Sequence, residues 1–90
     1  MFSLYRNRVD GIAAITIARS QHAVNLRLLD LSYNNIGDAG ADALANSTYL
    51  KGLEQCDLTE NPIGEAAAER LRQRFGDRVQ LRYGHHSVED

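Results

Sequence analysis

The segment LRLLDLSYNNIG at residues 26–37 returns 27 residues later as LEQCDLTENPIG at residues 53–64. Counting back by the same offset places Phe2, Leu4 and Val9 at the matching apolar positions of an earlier copy. A fixed period of roughly 20–50 residues is typical of a solenoid, in which each unit buries its apolar face against its neighbours. The repeat therefore determines the expected architecture before any single residue is interpreted.

Each copy combines a short strand with a helix. Leu29 and Leu31 alternate with polar residues, which predicts a strand over about residues 28–32 with one buried face. Small residues at 38–45 predict a helix, with Asp38 at the end where the helix dipole favours an acid. One asparagine follows each strand segment: Asn7, Asn34 and Asn61. In stacked repeats these side chains are expected to form a ladder that satisfies buried loop backbone groups.

Strand and helix alternate throughout the chain, which predicts an α/β fold with a parallel sheet and outer helices, because each crossover is one helix. We expect one domain at residues 1–84 and a polar tail at 85–90 that includes His85 and His86. The predicted repeats span about 2–25, 26–52 and 53–78, with a final strand at 79–83. The last unit is shortened, as expected of a terminal cap.

The pattern Leu26-x-x-Leu29-x-Leu31-x-x-Asn34-x-Ile36 resembles the leucine-rich repeat, and residues 53–63 match it again with a cysteine at one leucine position. The period and the following helix are similar to the ribonuclease-inhibitor-like subfamily. This resemblance implies a short horseshoe-shaped solenoid, with about four parallel strands on the concave side and helices on the convex side. It also implies a protein-binding module, similar to the C-terminal end of a longer repeat protein or to a stand-alone remnant of one.

Composition excludes several classes of function. The net charge of −2 argues against attraction of the whole domain to nucleic acid. No apolar stretch approaches the roughly 18 residues of a membrane span, and no signal-peptide pattern occurs, so we expect a cytoplasmic protein without a membrane partner. Cys56 is the single cysteine and is expected in the core. Zinc, phosphate-loop and nucleophile motifs are missing from the sequence, so we expect no enzyme, cofactor or metal site.

The strand register predicts a binding strip on the concave face. Its candidate residues are Tyr5, Asp30, Tyr33, Asp57, Glu60, Arg82 and Tyr83. Tyrosine and arginine are enriched at binding hot spots, so the tyrosines are the expected anchors for a protein partner. Asp30 and Asp57 should lie about 4.8 Å apart on adjacent strands, where they could receive a basic group or a cation. The alternative interpretation is a solvated sheet face.

The first repeat carries a second candidate surface. Phe2 belongs to an end strand, and Ile12 and Ile15 occupy positions that should face outward. Upstream sequence, a second copy of the chain or a re-aimed first helix could cover them. A structural role, with self-association into a possible homodimer or completion of a larger solenoid, is therefore the alternative function. The arginines at residues 70–82 are interpreted as a solvated helix face, with Glu69 paired to Arg72.

Overall fold

The computed structural model describes residues 1–6 and 9–83, which form four strands and three α-helices. The strands are β1 (Phe2–Ser3), β2 (Leu28–Asp30), β3 (Gln55–Asp57) and β4 (Val79–Gln80). The helices are α1 (Gly11–Arg19), α2 (Gly37–Asn46) and α3 (Glu65–Phe75). Short 3-10 turns precede the last three strands, at Gln21–Asn25, Leu50–Gly52 and Gly76–Arg78. Asn7 of the predicted ladder and the tail at 85–90 with His85 and His86 lie outside the described residues.

The four strands form one parallel sheet in chain order, β1–β2–β3–β4. Their register follows the repeat, because Leu29 pairs with Phe2 on one side and with Cys56 on the other. The final strand joins in the same way, with Cys56 opposite Val79. The predicted α/β fold with a parallel sheet is therefore present, and the crossovers between strands are helical as expected.

The strands are shorter than predicted, yet their hydrogen bonds continue beyond them. The Leu31 N–H donates to the carbonyl of Asp57 at 2.9 Å, and the Tyr33 N–H donates to that of Thr59 at 2.8 Å. The chain then turns through a left-handed residue at the same place in each repeat: Arg6 (φ 53°), Tyr33 (φ 60°) and Glu60 (φ 61°). This conformation costs a non-glycine residue roughly 1–2 kcal/mol, so its recurrence marks a turn that the stacking of repeats imposes.

The core lies between the sheet and a layer of helices that pack in chain order, α1 against α2 and α2 against α3. Its largest buried side chains include Leu29, Leu31, Leu44, Leu58 and Leu71. The helices approach closely where α1 begins, because a Cβ on Gly40 would lie 2.8 Å from Cγ2 of Ile36 and 3.0 Å from Cα of Gly11. The buried face of α2 accordingly carries the small residues Gly40 and Ala41 beside Leu44. No helix within residues 1–6 and 9–83 is both long and apolar enough to cross a bilayer.

The predicted asparagine ladder is confirmed at its two described members. The Oδ1 atom of Asn61 accepts from the Ile36 N–H at 3.0 Å, and that of Asn34 accepts from the Val9 N–H at 3.0 Å. The Asn61 amide group also donates to the Leu31 carbonyl at 2.9 Å. Each asparagine therefore satisfies backbone groups of the preceding repeat, which the apolar interior could not do.

The C-terminal arginines make specific contacts between and within helices. Arg70 of α3 pairs with Asp42 of α2 at 2.7 Å, and Arg72 pairs with Glu69 at 3.2 Å as predicted. Arg74 donates to the carbonyl groups of residues 44 and 45, at the C-terminal end of α2. A cation is favoured there by the helix dipole. The simple interpretation as a solvated face therefore missed how α3 is joined to α2.

Candidate functional site

The sheet brings the predicted aspartates together in a row. Asp30 lies opposite Ser3 on β1 and opposite Asp57 on β3, and Asp57 lies opposite Gln80 on β4. The apolar residues between these positions, such as Leu29, are buried against the helices. Because side chains alternate along a strand, the aspartates belong to the face turned away from the helices. This face carries the predicted binding strip.

The two aspartates have a structural task in the strand-end turns. The Oδ1 atom of Asp30 accepts from the backbone N–H of Ser32 at 2.9 Å and from its hydroxyl at 2.6 Å. The Oδ1 atom of Asp57 accepts from the Thr59 N–H at 2.9 Å. Ser3 does the same with its hydroxyl oxygen in the first repeat. The aspartate position therefore stabilises a local turn in each repeat, a role that sequence reasoning missed although short polar side chains favour such turns.

A shallow depression lies beside the aspartate pair. Its volume is about 130 Å³, and Met1, Leu28 and Gln55 line it together with the two carboxylates. Small-molecule pockets typically enclose about 300–1,000 Å³. The space beside the aspartates is therefore well below the size that would enclose a substrate and exclude water.

The two N-terminal tyrosines of the predicted strip form a compact cluster with an arginine. The rings of Tyr5 and Tyr33 meet edge to face, with their centroids 5.6 Å apart. The Arg6 guanidinium carbon lies 5.8 Å from the Tyr5 ring centroid and 5.2 Å from that of Tyr33. The tyrosines remain 48% and 43% exposed. We call Tyr5, Arg6 and Tyr33 the tyrosine–arginine cluster.

Arg6 was not among the predicted binding residues, although it occupies the repeat position of Tyr33 and Glu60. The signal was available in the register, because the backbone N–H of Arg6 donates to the strand beside it as the Tyr33 N–H does. What the register could not show is the inclination of the guanidinium towards both rings. Cation–π geometry of this kind favours a fixed arrangement of the three side chains.

The remaining strip residues lie at the other end of the sheet. The N–H of Glu60 donates to the Arg82 carbonyl at 2.7 Å, so these two residues are neighbours. Tyr83 follows directly and is exposed. Since β1 and β4 are the two edges of the sheet, Tyr83 is separated from the tyrosine–arginine cluster. The structure therefore divides the predicted tyrosine anchors between two ends of one face.

The predicted self-association residues differ in their exposure to solvent. Phe2 is 39% exposed and lines an apolar depression of about 280 Å³ with Ile17, Ala23 and Leu26. Ile12 is 72% exposed on α1. These two residues leave apolar surface at the N-terminal end of the sheet and on the first helix, as the sequence predicts.

Ile15, in contrast, is partly buried and lines the groove between α1 and α2 together with Ala39 and Ala43. Ile15 is therefore less exposed than expected, although it borders an open groove. Its repeat equivalent, Asp42, pairs with Arg70 of the next helix. This position in each repeat faces the following helix, and the first junction fills it with apolar contact where the second uses an ion pair.

Cys56 lies in the core, as predicted from its place at a leucine position. Burial raises the pKa of its thiol to about 12, with smaller contributions from the negative charges of Asp57 and Asp30. A thiol with such a pKa is protonated and a poor nucleophile at neutral pH. No group of three or more potential metal ligands occurs within residues 1–6 and 9–83.

One comparison with known proteins matches a single repeat of the chain. Residues 22–45, which contain β2 and nearly all of α2, match the family model described as Leucine Rich repeat. The match supports a leucine-rich-repeat protein. No curated protein and no solved structure matches the chain. Leucine-rich-repeat domains generally mediate protein–protein interaction, which agrees with the function that the sequence pattern implies.

Proposed function

We propose that this chain is a non-enzymatic protein-interaction module, a short ribonuclease-inhibitor-like solenoid that binds a protein partner through the concave face of its sheet. The observation that carries the proposal is the tyrosine–arginine cluster, with two partly exposed rings 5.6 Å apart on that face. Its cytoplasmic location stays a prediction from the sequence.

The cluster has the properties of a binding anchor. Its two rings are held by mutual contact and by Arg6, so docking would freeze few additional rotamers. Tyrosine and arginine combine large contact area with hydrogen-bonding groups, which is why they dominate interface hot spots. The left-handed backbone at Arg6 and Tyr33 further fixes where these side chains emerge.

The aspartate pair supports a binding role better than a catalytic one. One oxygen of each carboxylate is already used in a strand-end turn, and the adjoining depression is small. General acid–base catalysis requires carboxyls of separated proton affinity in a site that excludes water. On this face the outer carboxylate oxygens of Asp30 and Asp57 would instead meet basic groups of a partner.

The test is differential capture with the full chain as bait, followed by affinity measurement on each captured protein. Tyr33→Asn removes the ring but suits the left-handed backbone, and Asp57→Asn removes charge but keeps the acceptor of the turn. Gln73→Ala, on the exposed surface of α3, is the matched control. A partner should lose about tenfold or more in affinity with the first two variants and be unaffected by the third. A partner that binds all four proteins equally would refute the assignment to the sheet face.

A structural role is the second candidate, favoured by the apolar surface around Phe2 and Ile12. A second copy would bury Phe2 and pair with the exposed edge of β1. Light scattering after size-exclusion chromatography over a concentration series tests this directly. A dimer that Phe2→Lys dissociates, without loss of helical signal, supports self-association. A monomer throughout the series eliminates it.

A further inference from the structure

Among the arginines that the structure describes, Arg6 is the one whose guanidinium lies against two aromatic rings. Arg27, Arg70 and Arg72 each pair with a carboxylate. Arg6 makes no ion pair within residues 1–6 and 9–83, and its described contacts are the rings of Tyr5 and Tyr33. A cation held against two aromatic rings keeps its outer N–H groups available for an acceptor.

Further hydrogen-bonding groups lie beside Arg6. An open depression of about 590 Å³ is lined by Arg6, Asp10, Tyr33, Asn34 and Asn35. Asn35 is exposed, and its side-chain amide has no hydrogen-bond partner within the part of the chain that the structure describes. The depression therefore combines a guanidinium, an amide and a tyrosine at its border. All three can donate hydrogen bonds to an oxygen anion.

One carboxylate lines the depression, that of Asp10, and one of its oxygens accepts from backbone donors. The Oδ1 atom of Asp10 accepts from the N–H groups of Ile12 and Ala13, at the positive end of α1. The helix dipole and these N–H groups offset part of the negative charge of Asp10, which would otherwise oppose an incoming anion.

We propose that the tyrosine–arginine cluster receives an acidic side chain, Asp or Glu, of a protein partner. The carboxylate pairs with the outer N–H groups of Arg6, and Asn35 supplies a further donor. The rings of Tyr5 and Tyr33 flank the pair and keep Arg6 in place. This inference rests on the proposed function and adds to it the charge of the docking residue.

The test uses ¹⁵N-labelled full chain titrated with a synthetic peptide of alternating glutamate and glycine, and separately with its lysine counterpart. The glutamate peptide should shift the amide signals of residues 5, 6, 33 and 35. Arg6→Gln should weaken this binding about fivefold or more. Arg19→Gln, an equal loss of charge on exposed α1, should change it less than twofold. Arg6→Lys keeps the charge but loses the planar fork, so its affinity should fall between those of wild type and Arg6→Gln.

Three results would overturn the inference. They are an absence of shifts with the glutamate peptide at millimolar concentration, equal weakening by Arg6→Gln and Arg19→Gln, and shifts confined to other surfaces. Shifts near Asp57 and Glu60 with the lysine peptide alone would refute an acidic ligand while leaving the sheet face as a binding surface. The capture experiment with Tyr33→Asn and Asp57→Asn tests that surface independently. Preserved dispersion of the amide spectrum shows that each variant remains folded.

Discussion

Asn61→Ala should be among the most destabilising single substitutions in this chain. The side chain of Asn61 is buried, and its Oδ1 atom accepts from the N–H of Ile36, which is buried as well. Its amide donates to the carbonyls of Leu31 and Leu58 at 2.9 and 3.1 Å. Alanine would leave a buried donor without a partner and remove two further hydrogen bonds.

The expected cost follows from these three contacts. An unsatisfied buried N–H costs about 1–3 kcal/mol, and each of the two lost hydrogen bonds costs about 1 kcal/mol, so the total is roughly 3–5 kcal/mol. A chain of this size is expected to have a free energy of unfolding of about 5–13 kcal/mol. One amide side chain would therefore contribute a quarter or more of the total stability.

Asn34→Ala is the matched comparison. Asn34 makes the equivalent hydrogen bonds to the first repeat, but both it and Val9 are only partly buried. Water can replace part of the hydrogen bonding that Asn34→Ala removes, so the free energy of unfolding should fall by about 1–2 kcal/mol. Urea unfolding followed by circular dichroism gives both values, provided that the slope m is unchanged. An equal or larger loss for Asn34→Ala, or less than about 1 kcal/mol for Asn61→Ala, would refute the reasoning from burial.

Three further predictions concern packing and ionisation. Ile15→Ala should lower the free energy of unfolding by about 1–2 kcal/mol, whereas Ile12→Ala should change it by less than about 0.5 kcal/mol in the same urea assay. Gly40→Ala should be destabilising despite the better helix propensity of alanine, because its Cβ would collide with Ile36 and with α1; unchanged thermal unfolding would contradict this. The Cys56 thiol ionises with its ordinary pKa of 9.0 in the unfolded chain, whereas burial raises the pKa to about 12 in the folded protein. The free energy of unfolding should therefore decrease as the pH rises from 9 towards 12, and Cys56→Val should remove this part of the pH dependence of stability.

The sequence predicted the backbone arrangement well because a repeat constrains every unit by the same physics. The alternation of Leu29 and Leu31 identified the buried face, and the recurrence of asparagine identified the loop hydrogen bonds. Gly76 has φ 59° directly after α3, a backbone conformation that favours glycine at a helix end. Most of these predictions concerned a residue type that recurs at the equivalent position of each repeat.

The candidate site was less predictable because its side chains differ from repeat to repeat. The register placed Tyr5 and Tyr33 on one face, but ring and guanidinium contacts depend on rotamers that periodicity does not determine. Ile15 is less exposed than expected because outward and groove-facing positions are adjacent on a helix. Asp42 at the equivalent position is polar, which suggested exposure, whereas it reaches Arg70 on the next helix.

The two helix junctions differ in the chemistry of their contacts. The α1–α2 junction uses Ile15 against alanines and the Ser47 hydroxyl, which donates to the Ala18 carbonyl. The α2–α3 junction replaces these contacts with Arg70 and with Arg74, which donates to the Ala45 carbonyl. Long charged side chains thus join α3 to α2 and leave α3 a polar outer surface, as in a capping repeat.

At the N-terminal end the exposed surface includes apolar side chains, in contrast to the polar outer surface of α3. Ile12 is exposed on α1, and Phe2 borders an apolar depression beside the edge strand. Exposed apolar surface favours association, whereas the charged surface of α3 opposes it. The tyrosine–arginine cluster lies at the same end, because Tyr5 and Arg6 closely follow β1. A partner that engages Arg6 would therefore approach over the first repeat, and Phe2 would be an apolar side chain available there to extend the interface.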